Sequence, residues 1–350
     1  MHIICSSARL SALILGAVAL IAVQAPCLCQ AETTTAQRPP PDRREGSRIV
    51  GVSSICYSPE QSIETTERYI DTAALDAPDI ILLTESCMQN SQASATVEER
   101  NANSDLLPEG GPITKFFARK ARQHNTYIIA SYWRKEEKGR GRYNSAVLFD
   151  RQGAVVGVYD KVFPTIGELE NGVLPGKTAR VFDTDFGRVG AIICFDLNFP
   201  ELLEQYKRQG AELLCFLSMF RGGAMVPDLA RRNQCFIASS VPRENGVIVD
   251  PLGRTLAESS QYGRIIFARI NLDSQIVHID NHVQKTRDLK RKYTDRVQIE
   301  TASPEAVYFL SSSHPDKSIQ DMMKEFGIVT LDEYLARSRA LRERRLLGNN

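Results

Sequence analysis

The sequence predicts an α/β protein in which helices cover a mixed β-sheet. Short apolar runs rich in β-branched residues, such as Ile49–Ser54 and Val189–Ile193, are too short for buried helices and read as strands. Longer amphipathic stretches alternate with them. Two hairpins flank Asp150-Arg-Gln-Gly153 and Asp250-Pro-Leu-Gly253, and Asp first with Gly fourth suits a type I turn. A chain of 350 residues with 43% hydrophobic content can hold one large core or two small ones.

Taken in order, Arg9 precedes an apolar stretch from Leu10 to Val23, broken by Ser11 and Gly16, and Cys29-Gln30-Ala31 offers a small-x-Ala cleavage site. Residues 1–31 therefore read as a signal peptide and the mature protein as secreted or periplasmic. An uncleaved anchor is the alternative, and the run is short for a span of roughly 20 residues. Residues 32–47 are polar, contain prolines and lack periodicity, as a disordered lead-in does. Ile49–Ser54 follows as the first strand and Glu60–Ala74 as a helix. The polar stretch between Cys87 and Pro112 is either a lid or a variable surface loop. Strands are expected at Asn144–Phe149, Ala154–Tyr159, Glu212–Leu217, Gly246–Val249 and Arg254–Glu258, with a helix from Pro200 to Gln209 stopped at Gly210. The main domain is placed at 48–300 and a helical extension at 301–350. In that extension Thr330-Leu-Asp-Glu333 is a capping-box signature. Leu331, Tyr334, Leu335 and Leu341 make a stripe beside Arg337, Arg339, Arg342, Arg344 and Arg345, which reads as a surface helix packed on its own domain or on a second subunit.

Three strand-like runs stop at ionisable or nucleophilic residues. The run from Asp79 ends at Glu85, the run from Val155 ends at Lys161, and Gly190-Ala-Ile-Ile ends at Cys194. Pro200 and Glu201 then open a helix, so Cys194 sits at a strand-to-helix corner. A lone cysteine is more often a buried structural one. A carboxylate, an ammonium and a thiol delivered together to the ligand-binding edge of an α/β sheet form a more specific pattern.

In these residues the chain resembles the nitrilase superfamily of carbon–nitrogen hydrolases, whose triad is Glu, Lys and Cys in that order. Leu83-Thr84-Glu85, Tyr159-Asp160-Lys161, Pro175-Gly176, Cys194-Phe195-Asp196 and Phe199-Pro200-Glu201 carry the resemblance. Asn144 before Ala146-Val147-Leu148, and Asp250-Pro251-Leu252-Gly253, add to it, and the similar region runs from about Arg48 to about Arg296. The resemblance implies a four-layer αββα sandwich and a thioester mechanism. Glu85 is the implied general base, Cys194 the nucleophile, and Lys161 with the Phe195 N–H the oxyanion donors. Glu168, rather than its neighbour Glu170, is the implied second glutamate. Thr84 stands where the family usually has Pro and Asn198 where Arg is common, so Asn198 is a candidate substrate-binding residue.

Lys plus Arg number 43 against 42 Asp plus Glu, so nothing points to nucleic acid. His278 and His282 have helical metal-ligand spacing, yet no HExxH frame surrounds them, and neither a metal nor a cofactor is expected. The expected partner is a small amide-type substrate, and the expected assembly a homodimer or larger homo-oligomer. An acyltransferase using the same acyl-enzyme, and a silent binding protein on the same fold, are the alternatives. Of the cysteines beyond the signal, Cys56 and Cys87 follow neighbouring strands and are candidates for a disulfide.

Overall fold

The computed structural model describes residues 48–58, 62–88, 96, 99, 104–105, 110–136, 138 and 141–348. The signal peptide, the lead-in and most of the stretch between Cys87 and Pro112 lie outside the described residues.

Two six-stranded sheets dominate, and both follow one plan. In the first, β1 (Ile49–Ile55), β2 (Ile80–Leu83) and β3 (Tyr127–Lys135) run parallel. The β4–β5 hairpin (Arg142–Phe149 and Val155–Asp160) extends one edge antiparallel, and β12 (Ile265–Asn271) closes the other. In the second sheet, β7 (Arg188–Ile193), β8 (Leu213–Leu217) and β9 (Phe236–Ser240) are the parallel centre. Strand β6 (Val181–Asp183) flanks them on one side, and the β10–β11 hairpin (Val247–Val249 and Thr255–Glu258) on the other.

Strand alternation turns these sheets into a sandwich. In β2, Ile80 and Leu82 join a core with Ile192, Leu214, Phe216 and Ile237 of the facing sheet. Ile81 and Leu83 point the other way, onto Ile70 of α1 (Ile63–Ala73) and Phe117 of α2 (Pro112–His124). A period of two thus assigns each residue to one of two cores. Helices α4 (Pro200–Arg208) and α5 (Met225–Asn233) cover the second sheet through Leu202, Tyr206, Val226 and Ala230. The order of layers is helix, sheet, sheet, helix. Both hairpin turns use their aspartate as read: Asp150 Oδ1 accepts from the Gln152 and Ala154 N–H groups, and Asp250 Oδ1 from Leu252 and Arg254.

The C-terminal part departs from the sequence reading. The boundary at 300 falls inside β14 (Val297–Ala302), which pairs with β15 (Val307–Ser312), and β15 pairs in turn with β13 (Ser274–His278). With α6 (Val283–Tyr293) and α7 (Ile319–Glu325) this sheet encloses its own core around Val277, Leu289, Leu310 and Met322. A helical extension is therefore too simple a description of 301–350. The last helix, α8 (Leu331–Leu346), does carry the expected capping box between Thr330 and Glu333. Its first turn is tied down, with Tyr334 stacked on His278 at 4.3 Å and donating to Asp280 and Asp332 accepting from Lys207 and Gln234, while residues 335–348 are exposed. His278 and His282 lie on different elements. The His278 Nδ1 accepts from Asp280 N–H, and His282 bonds the His278 carbonyl and the Val329 N–H.

The two sheets come close together where β5 meets β6. A Cβ on Gly157 would lie 2.6 Å from the Phe182 ring. Gly157→Ala should therefore destabilise the protein by about 1–3 kcal/mol, because the ring is buried in the sandwich core and has little room to move. Urea unfolding compared with wild type measures this, and an unchanged midpoint would mean that the sheets part more easily than the packing implies.

Candidate active site

The three residues that end strand-like runs converge. Glu85 follows β2, Lys161 follows β5 and Cys194 follows β7, so both sheets contribute. Lys161 is 1% exposed and Glu85 4%. The Lys161 Nζ donates to Glu85 Oε1 at 3.0 Å and to Glu168 Oε2 at 2.8 Å. Glu168 lies on α3 (Ile166–Glu170), in a capping box with Thr165 that fixes its carboxylate. Glu170, the alternative, is exposed on the same short helix.

Burial pulls the Lys161 ammonium down, but Glu85 and Glu168 outweigh it, and the group ends above its ordinary range. Burial pushes Glu168 up, yet Lys161, the Thr165 N–H and Asn144 bring it below the usual carboxylate value. Lys161 and Glu168 are therefore an ammonium and a carboxylate at neutral pH. Cys194 behaves differently. Burial and the facing Glu85 carboxylate push its thiol up to about 12, against the opposing pull of Lys161 and the Met219 N–H. Such surroundings favour a thiol that would lose its proton only during attack over a standing thiolate.

Cys194 also occupies an unusual backbone state. Its φ is +49°, in the left-handed region that an L residue with a Cβ enters at a cost of about 1–3 kcal/mol. The chain leaves β7 as a strand, turns at Cys194 through a 3₁₀ segment (Cys194–Asn198) and enters α4 at Pro200. Asp196 holds this corner. Its Oδ2 accepts from the Ile193 N–H at 2.9 Å and the Tyr159 hydroxyl at 2.8 Å, and its Oδ1 from the Phe163 N–H at 2.8 Å. Tyr159 and Phe163 bracket Lys161 in the chain. One buried carboxylate thus ties the lysine-bearing segment to the cysteine-bearing corner.

Two residues quoted in the sequence motifs without a role, Asp196 and Asn144, prove to be structural neighbours of the cluster. Asn144 donates from Nδ2 to Glu85 Oε1 at 2.8 Å and to Glu168 Oε1 at 3.2 Å. The Met219 N–H, which no sequence signal marked, donates to Glu85 Oε2 at 3.0 Å. Phe195 follows the corner cysteine, and its ring meets Phe199, which stacks on Phe163 at 3.6 Å. Asn198 is exposed and donates to the Phe195 carbonyl rather than to Glu85, Lys161 or Glu168. Among the described residues no cluster of three His, Cys, Asp or Glu side chains could hold a metal. The candidate disulfide between Cys56 and Cys87 is not formed. Both are free buried thiols, Cys56 beside Ser54 and the Ser239 carbonyl, Cys87 packed in the core under α1 and α2.

Burial pushes the Asp196 carboxyl up to about 6, against the three donors that favour its charged form. A folded-state value raised above the unfolded one contributes stability that is complete below the ordinary carboxylate range and is lost as pH rises to about 6. The loss should be of the order of 3 kcal/mol. Comparing unfolding free energies of wild type and Asp196→Asn at pH 4, 5, 6 and 7 checks this. The substitution should flatten that slope whatever offset it adds, and an identical slope in both proteins would place the titration elsewhere.

The profile of the carbon–nitrogen hydrolase family matches residues 48–276. "Nitrilase homolog 2" of Dictyostelium discoideum is 25% identical over 260 residues, covering 67% of this chain and 77% of that protein. The human "Omega-amidase NIT2" is 26% identical over 219 residues, 55% of this chain and 78% of its own. Among solved structures, Saccharomyces cerevisiae Nit3, described as a member of branch 10 of the nitrilase superfamily, superposes with a TM-score of 0.58 at 18% identity. That match covers 71% of this chain and 95% of Nit3, and shares the fold.

Proposed function

The chain belongs to the carbon–nitrogen hydrolase family of the nitrilase superfamily and is a hydrolase of non-peptide C–N bonds, and we propose that it cleaves an amide or N-carbamoyl compound through Glu85, Lys161 and Cys194. The observation that carries this reading is the buried Lys161 held between Glu85 and Glu168, with the Cys194 thiol facing Glu85.

In the proposed reaction the Cys194 sulfur attacks the carbonyl carbon while its proton passes to Glu85. The C=O electron pair moves onto oxygen. An ammonium has three N–H donors, and with two on carboxylates Lys161 has one to turn toward this oxyanion, beside the Phe195 N–H. Collapse re-forms the C=O bond and breaks the C–N bond, and the proton on Glu85 goes to the departing nitrogen. The resulting thioester is attacked by a water that Glu85 deprotonates, which releases the acid and returns the proton to sulfur. Glu168 orients Lys161 throughout. Phe195, next to Cys194 in the chain, packs its ring with those of Phe199 and Phe163, and this apolar cluster supports an uncharged acyl group.

Export of this enzyme, with a mature start near Glu32, is proposed from the order of Arg9, the apolar run and Cys29-Gln30-Ala31. Mass spectrometry of the natively expressed protein tests it, and a mature product that keeps Leu10–Val23 would rule it out.

Ammonia or amine release from aliphatic amides, N-carbamoyl compounds, acyl-amine conjugates and nitriles, read beside intact-protein mass, tests the chemistry. Wild type should turn over at least one class. Cys194→Ala should show no turnover and no adduct. Lys161→Ala should lose about 100- to 1,000-fold or more, because the oxyanion loses its charged donor. Glu85→Gln should be inactive and, if it acylates, should hold the thioester mass. Near-normal hydrolysis by Cys194→Ala would sink the mechanism. Product carrying an added amine or alcohol in place of water would establish acyl transfer instead.

A further inference from the structure

We propose that Asn144 is a positioning residue that selects Oε2 of Glu85 as the atom taking the Cys194 proton; the proposal rests on the hydrolytic reading above. Asn144 lies on β4 and is 1% exposed. Its two Nδ2 hydrogens go one to Glu85 Oε1 and one to Glu168 Oε1. Its own carbonyl accepts from Ser131 Oγ at 2.9 Å, and that same Oγ accepts from the Ser86 N–H at 3.2 Å. The amide can face only one way, since turning it over would set its oxygen against two carboxylates. Asn144 and Lys161 therefore bridge the same two carboxylates, one as a neutral donor and one as a charged donor.

The two oxygens of Glu85 are consequently unequal. Oε1 already receives the Lys161 ammonium and the Asn144 amide, whereas Oε2 receives the Met219 N–H. The Met219 N–H also favours the ionised form of Cys194, so sulfur and Oε2 share one donor that Oε1 does not receive. A proton arriving at Oε1 would have to displace one of two strong donors. At Oε2 it requires only that the Met219 N–H swing from oxygen to sulfur as the S–H bond breaks and the O–H bond forms. The same Oε2–H then faces the nitrogen that departs when the C–N bond breaks. Asn144 touches neither sulfur nor substrate, and it acts through the carboxylate it holds.

The test is the rate at which chloroacetamide alkylates Cys194, followed by peptide mass at pH 7 in wild type, Asn144→Ala and Ser131→Ala, with kcat and KM measured alongside once a substrate is known. For Asn144→Ala alkylation should slow about tenfold to a hundredfold, and kcat should fall while KM changes little. Ser131→Ala leaves both carboxylates untouched and should slow alkylation by less, and it decides the matter if Asn144→Ala does not fold. A folded variant that is alkylated as fast as wild type, or that loses affinity with kcat unchanged, overturns the positioning role. A wild-type Cys194 no more reactive than the buried Cys215 overturns the catalytic reading itself, which is a different result.

Discussion

One ammonium shared by two carboxylates sets the terms for the rest of this molecule. A lysine buried to this degree is expensive unless its charge is met, and breaking such a pairing by removing one partner costs about 3–5 kcal/mol in typical cases. Lys161 meets its cost twice over, with Glu85 and Glu168. The arrangement then has a surplus of negative charge, and neutral donors gather on it: Asn144 on both carboxylates, Met219 N–H on Glu85 and Thr165 N–H on Glu168. These donors come from β4, from the segment after β8 and from the start of α3. The architecture is constrained to bring all of them to one end of the sandwich.

Asp196 is the second anchor, and it works across the sheets rather than within the charge cluster. It joins Tyr159 and Phe163 of one sheet's edge to Ile193 of the other. The packing around it is close. Gly176 donates its N–H to the Lys161 carbonyl, and a Cβ there would fall 2.1 Å from the Asp160 carbonyl oxygen. Arg134 and Ser145 hold the Asp160 side chain in turn. The segment carrying the lysine is thereby held on several sides, as the proposed oxyanion donor has to be.

Glu85, Lys161 and Cys194 were legible because each terminates a short apolar run, a local signal that strand geometry turns into a shared location. Glu168 was legible only through the family resemblance, which its spacing from Lys161 fits, and Thr165 three residues before it makes the capping box. Asn144, Asp196 and Met219 act through contacts between residues far apart in the chain, and no periodicity or spacing marks such a contact in advance. A mixed sheet covered by helices could be read from the short apolar runs that became β2 and β7 and from the Asp–Gly hairpins, whereas the four layers followed only from the family resemblance. The third sheet was missed for a different reason. Val307-Tyr-Phe-Leu310 is a short apolar run, the kind shared by strands and buried helices, and the capping box and arginines downstream drew the whole tail toward helix. The Cys56–Cys87 pairing failed because following neighbouring strands does not ensure that two side chains point at each other.

The left-handed backbone at Cys194 has a consequence for how this protein responds to selection. Glycine is the residue that accepts such a dihedral without penalty, so the most comfortable residue at position 194 has no sulfur. Stability and the proposed chemistry therefore prefer different residues at the same position. A library enriched only for heat resistance would drift toward glycine there and return a sturdier protein without the proposed nucleophile. On the proposed mechanism, cysteine persists at that corner only while catalysis itself is being selected.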